Sequence, residues 1–223
     1  MYSAFSERSP RAAASETSWV TLGRSTFQSC ALPSETPTWW VDGAFTGATS
    51  TGSSAYPFTT INAALNQVVT GTESIIMVRP GTYAEVVDIL KPQVHLRGEG
   101  PATTIIDAGP GGLNGFRYGA DGITIGNFRF SNANNNGSGY VGGVTVKDIT
   151  TPQDVVICNN VFDNNEAGVS VGKSSPLIVN NTFFNNDRGV SMGAGSGTTI
   201  IRNNIFQGGA TTTSGTGIDA FTG

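Results

Sequence analysis

The stretch NNVFDNNEAGVSVGKSSPLIVNNTFFNNDRGVSM, residues 159–192, says one phrase twice: NNVFDNNEAGVSV, then NNTFFNNDRGVSM. Asn160 and Asn181 lie 21 residues apart and Asn181 and Asn204 lie 23 apart, each in a frame of apolar, any, Asn, Asn, any, Phe. ITIGNFRF fits the same frame with Phe128 in place of the second asparagine, 32 residues before Asn160, because SNANNNGSGYVGG inserts a loop. The second half of each unit aligns as well: GVTV at 143, GVSV at 168, GVSM at 189 and GIDA at 217. A repeat of this length, built from short β-rich pieces and turns, makes each unit one coil of a β-solenoid whose coils pair in parallel about 4.8 Å apart.

Stacking the coils brings equivalent residues together. Fifteen of the 18 asparagines fall after residue 121, and Asn160, Asn181 and Asn204 are expected to stand above one another as a ladder of side-chain amides that also satisfies turn backbone groups. Phe162, Phe183 and Phe206 are expected to stack inside, with Val144, Val169, Val190 and Ile218 on another wall.

Upstream of the repeats, Ile61, Ala64, Leu65 and Val68 fall at i, i+3, i+4 and i+7 and predict one short helix, with Thr59 or Thr60 as N-cap. From Ile75 onward the helical period gives way to strand and turn pieces: SIIMVRPGTYAEVVDI, VHLRGEG, TTIIDAG, GITIGNFRF. Residues 1–36, rich in Ser, Thr, Ala and Arg without periodicity, read as a flexible leader, and residues 37–223 as the solenoid.

The combination PFTTINAAL, IIMVRPGTYAEVV, VHLRGEG, TTIIDAG, ITIGNFRF and the NNxF…GVSV units resembles the right-handed parallel β-helix of the pectin-lyase-like superfamily, in its generic carbohydrate-processing repeat branch. The resemblance implies an all-β chain whose short amphipathic helix caps the N-terminal end. It also implies an extracellular or cell-envelope protein that contacts polysaccharide. The superfamily spans lyases, esterases, hydrolases and non-enzymatic surface proteins, so two functions stay open: a lyase-like or hydrolase-like enzyme, or a non-catalytic structural or adhesive solenoid.

Composition narrows the partners. The 223 residues carry a formal charge of -4 and only 13% charged residues, leaving no basic patch for nucleic acid. No apolar run is long enough for a transmembrane helix, and the first thirty residues lack the apolar stretch of a signal peptide. Two cysteines, Cys30 and Cys158, lie in unrelated contexts without metal-ligand spacing, and a disulfide between them stays open, with nothing in the sequence to support it.

Lyases of the superfamily neutralise a uronate carboxylate with calcium and remove the neighbouring proton with Arg or Lys, because that proton is too weakly acidic until the charge is compensated. The candidates here are Glu166 and Asp187, one coil apart, as calcium ligands and substrate contacts. Asp163 joins them on the same turn, with Arg188 and Lys173 as catalytic cations. His95 lacks a sequence partner and reads as structural, and Asp107 as a turn acceptor. Val156, Leu177 and Ile200, like Val161, Thr182 and Ile205, put apolar groups on faces expected to point outward, which favours a one-residue slip of the register over a covering segment. The series Thr145, Ser170, Ser191, Asp219 is too irregular for a crystal-binding threonine face. The last coil, ending in GIDAFTG, carries no capping element, so the chain is expected to continue a longer β-helix or to associate through that end.

Overall fold

The structure is a computed structural model that describes residues 36–109, 115–134, 141–146, 154–193 and 197–208. The leader up to residue 35, and the GIDA unit with Ile218 and Asp219, lie outside them. The chain is a right-handed parallel β-helix, and among the described residues it has one short helix, at its head, and the strands of three sheets. Sheet 1 has seven strands, running from Trp39–Val41 through Ser74–Val78, Val94–Gly98, Thr124–Gly126, Val156–Cys158 and Leu177–Val179 to Ile200–Arg202. Sheet 2 has six, from Gly81–Tyr83 through Thr104–Asp107, Arg129–Ser131, Val161–Asp163 and Thr182–Phe184 to Ile205–Gln207. Sheet 3 has five, Val87–Ile89, Phe116–Tyr118, Val144–Val146, Ala167–Ser170 and Arg188–Ser191.

The paired asparagines divide the work of the turns. The first of each pair takes the left-handed backbone that turns the chain: Asn159, Asn164, Asn180, Asn185 and Asn203 all have φ between 52° and 57°, a region Asn tolerates better than most residues. The second turns its amide inward. Asn181 Oδ1 accepts from Asn160 N at 2.9 Å and Asn160 Nδ2 at 3.2 Å, while Asn204 Oδ1 accepts from Asn181 N at 2.8 Å and Asn181 Nδ2 at 3.1 Å. At the turn from sheet 2 to sheet 3, Asn186 Oδ1 does the same for Asn165 N (3.0 Å) and Nδ2 (2.8 Å).

Inside, Phe130, Phe162, Phe183 and Phe206 stack nearly parallel, with centroids 5.2, 4.9 and 4.6 Å apart. Val144, Val169 and Val190 line the sheet 3 wall in register. The glycine of Gly-Val-Ser follows from the stack, since a Cβ on Gly168 would lie 2.5 Å from Phe183 Cδ1 and 2.7 Å from the Gly189 carbonyl. Tyr118 is buried with its Oη 2.7 Å from Ser174 Oγ, and burial pushes its phenol pKa upward against the lowering effect of that bond.

The register has no slip. Ile157, Ile178 and Ile201 pair with one another and point into the core, so Val156, Leu177 and Ile200 point outward, as do Val161, Thr182 and Ile205 on sheet 2. The expected slip is therefore corrected. Leu177 is 1% exposed on an outer face, which requires something to lie over it. Cys158, in the same patch, is fully buried and disulfide-bonded.

The helix Ile61–Gln67 buries Ile61, Ala64 and Leu65 over the first coil, and Thr60 Oγ1 caps it by accepting from Ala63 N at 3.1 Å. Its other caps come from more than twenty residues downstream. The Glu85 carboxylate accepts from Ile61 N at 2.7 Å and Asn62 N at 3.1 Å, and Lys91 Nζ donates to the carbonyls of Leu65 (3.2 Å), Asn66 (3.3 Å) and Val68 (2.6 Å). Each charge sits at the helix end whose dipole it complements. Lys91→Met is expected to cost about 1 to 2 kcal/mol, through three carbonyls that lose a charged donor, read as a lower urea midpoint at unchanged slope. An unaltered midpoint would show that water caps this end equally well.

Candidate functional site

Alternation along the strands of sheet 2 sends the phenylalanines inward and presents two outward rows: Ile105, Arg129, Val161, Thr182 and Ile205, and beside them Asp107, Ser131, Asp163, Phe184 and Gln207. Arg129 Nη2 donates to Asp163 Oδ2 on the adjoining coil. The guanidinium side chain is 41% exposed and the carboxylate 16%, and Arg129 Nε is shielded from water without a hydrogen-bond partner. Of the five guanidinium N–H groups Asp163 takes one, so it is the exposed end of Arg129, not the shielded Nε, that keeps donors for a ligand. Along the edge of this face Asn164 Nδ2 donates to Asn132 Oδ1 at 2.7 Å and Asn132 Nδ2 to Asp107 Oδ1 at 2.9 Å, while Asp107 also accepts from Gly109 N at 3.0 Å, the turn role its sequence context predicts. Phe184 stands out from the same face, 40% exposed.

On sheet 3 the ion pair Arg117–Asp88 is bidentate, at 2.6 and 2.8 Å, so each group meets the other's geometry directly. Thr145, Ser170 and Ser191 form an outward column in register, but all three are buried, so they offer no exposed hydroxyl face. On sheet 1, His95 has the partners its sequence context did not reveal: Nδ1 lies 2.9 Å from Thr124 Oγ1 and Nε2 lies 2.8 Å from Glu73 Oε1. Hydroxyl, imidazole and carboxylate are in relay order, yet His95 lies within a strand whose backbone donors serve neighbouring coils rather than a developing oxyanion.

Of the sequence candidates, Asp163 lies in the sheet 2 face. Glu166 and Asp187 occupy adjacent coils, with Arg188 N donating to Glu166 O at 3.0 Å, but Glu166 is buried and Asp187 exposed. Arg188 is half-buried on the Asp187 coil, and Lys173 is exposed beyond the far end of the strand that follows Glu166. Arg129 and Phe184 are the residues sequence reasoning missed. Their signal was present: Arg129 takes the frame position held by Val161, Thr182 and Ile205 in the later coils.

Residues 94–220 match the family model described as periplasmic copper-binding protein (NosD), more than half of the chain. The chain belongs to the NosD family. Among solved structures, it is similar to pectin methylesterase PemA from Erwinia chrysanthemi (16% identity, TM-score 0.43, covering 67% of this chain and 56% of that one). It is also similar to pectin methylesterase from carrot (11% identity, TM-score 0.48, covering 78% and 64%). The chain thus spans little more than half the length of the first of these. No curated protein matches it.

Copper, which the description of the NosD family names, calls for imidazole, thiolate or thioether donors. Here both nitrogens of His95, the sole histidine, are hydrogen-bonded, and Cys158 is in a disulfide. Among the described residues no three His, Cys, Asp or Glu side chains converge. The described His, Cys, Asp and Glu side chains of this NosD-family chain thus offer no gathered copper site. No helix among the described residues is long and apolar enough to cross a membrane.

Proposed function

We propose that the outer face of sheet 2 binds an acidic polysaccharide outside the cytoplasm. The observation that carries this reading is the Arg129–Asp163 pair, whose guanidinium side chain is 41% exposed, set between the Asp107–Asn132–Asn164 edge and the exposed ring of Phe184. A uronate carboxylate takes the free donors of Arg129, sugar hydroxyls pair with the carboxylates and amides, and a sugar face lies against Phe184. The rows repeat at about 4.8 Å along the axis, which suits a chain ligand better than a compact one. Export fits the periplasmic description of the NosD family.

In the same reading any calcium would be recruited by the exposed Asp187, one coil on from the buried Glu166, with Arg188 beside it and Lys173 further round the coil as additional cations. Self-association would use the exposed Ile200 and Ile205 of the last described coil, 41% and 62% exposed. The reading is of a binding protein, with lyase-like activity on the same chains as the alternative that the test decides.

The test is titration calorimetry with oligogalacturonate, oligoalginate and a neutral glucan, with and without millimolar calcium. The acidic chains are expected to bind and Arg129→Ala to weaken them by about tenfold or more, the scale of a charged hydrogen bond. Asp187→Asn is expected to abolish any calcium-induced rise in Tm. Equal affinity of wild type and Arg129→Ala would overturn the site, and time-dependent formation of unsaturated uronate would make the protein a lyase.

A further inference from the structure

The charges on the outer face of sheet 2 follow a pattern along the axis of the solenoid. In chain order its coils present Ile105 with Asp107, Arg129 with Ser131, Val161 with Asp163, Thr182 with Phe184, and Ile205 with Gln207. Among these described residues one cation stands between two carboxylates, and the two coils after Asp163 carry no charge. Arg129 already gives one donor to Asp163. The cations that flank the later coils in the chain, Arg188 and Arg202, belong to strands of sheets 3 and 1. The face therefore has a place for one anionic group and, beyond it, for none.

We propose that this face selects a heteropolysaccharide in which an acidic residue is followed by a run of uncharged sugars, in preference to a polyuronate with a carboxylate on every residue. The inference rests on the binding reading above and names its substrate class.

A pyranose advances its chain by close to the coil spacing, so a chain lying along the axis sets about one sugar on each coil, at about 4.8 Å per step. With a uronate at Arg129, the sugar on one side lies over the Asp107 coil and the sugar on the other over the Asp163 coil. A second carboxylate at either place meets like charge that no further cation on the face offsets, and such a juxtaposition rejects a wrong ligand more sharply than a missing contact does. Hydroxyls suit both places, because the two carboxylates accept from them and Asn164 stands exposed at the edge with its amide.

One coil beyond Asp163 the next sugar meets Phe184, whose side chain is 40% exposed. A carboxylate pressed there loses water without gaining a partner. An uncharged pyranose instead buries its C–H face against the ring. The following coil offers the amide of Gln207 and the exposed Ile205, again with no charge to meet. The discrimination is thus set by Asp107 and Asp163 as much as by Arg129: the first two limit how densely charged a chain the third is able to hold.

The experiment is titration calorimetry of the full chain in calcium-free buffer, since calcium bridges carboxylates by itself. The probes are a gellan octasaccharide, whose glucuronates are separated by neutral sugars, an octagalacturonate, and a neutral glucan of the same length. The gellan fragment is expected to bind about tenfold or more tightly than the octagalacturonate. Phe184→Ala, a change at an exposed side chain that leaves the core intact, should weaken the gellan fragment by about tenfold and the octagalacturonate by less. Asp107→Asn keeps an oxygen to accept from Gly109 N but removes the charge, so it should narrow the gap, with the octagalacturonate gaining several-fold. Octagalacturonate binding as tightly as the gellan fragment, or gaining nothing from Asp107→Asn, would overturn the preference for sparse charge and leave the Arg129 site standing. Affinities for both acidic chains that are unchanged in Arg129→Ala would overturn the site itself, and this inference with it.

Discussion

Asn181→Leu is expected to lower the unfolding free energy by about 3 kcal/mol, far more than its similar volume suggests. The Asn181 side chain is 1% exposed and serves three coils at once. Its Oδ1 accepts from Asn160 N and Nδ2, and its Nδ2 donates to the carbonyls of Ile157 (2.9 Å) and Val179 (3.1 Å) and to Asn204 Oδ1. Leucine fills the space but accepts nothing, so the Asn160 backbone N–H and amide, and two turn carbonyls, lose a partner where water does not reach. Each buried group left unsatisfied costs about 1 to 3 kcal/mol, and apolar burial of the new side chain offsets part of the sum. Denaturant unfolding at constant slope is the measurement. A midpoint within error of wild type would mean that the turn relaxes to let water in. Asn180→Leu is the control that separates the two asparagine roles, because Asn180 is exposed and its φ of 57° is the demand it meets.

That division of labour marks the limit of what the sequence made legible. The spacing of Asn160, Asn181 and Asn204 gave the coil and its stacking, because a parallel solenoid places like on like. Why asparagine comes twice was not readable, since left-handed backbone leaves no period of its own. The helix was legible from its apolar face, whereas Glu85 and Lys91 were not, because their caps depend on which coil closes over the helix. The outward apolar residues of sheet 1 were misread for a related reason: alternation tells odd from even but does not tell a core from a face under a cover. At the candidate site Asp163 was found by its place in the turn, while its partner Arg129 lies 34 residues away across an inserted loop. The distance between them is a property of the wound chain alone.

Phe162→Ala is expected to have the largest effect of any single core change, about 3 to 5 kcal/mol. Phe162 is fully buried and stacks on both sides, 5.2 Å from Phe130 at 12° and 4.9 Å from Phe183 at 10°. Truncation removes its own burial and two ring contacts, each worth about 0.5 to 1.5 kcal/mol beyond area. The hole has little freedom to collapse. Its walls are paired strands on either side, and the backbone of Gly143 approaches so closely that a Cβ there would lie 2.9 Å from Phe162 Cδ1. A site that does not relax keeps its cavity, which places the loss toward the upper end of the range. Phe162→Leu should recover more than half of the loss, since it refills most of the volume and gives up only the ring stacking. Phe206→Ala, at the half-buried end of the same stack, should cost less than half as much as Phe162→Ala. Equal losses at Phe162 and Phe206 would mean that the stack is not the core's organising element, and that the valine wall of Val144, Val169 and Val190 carries the coil instead.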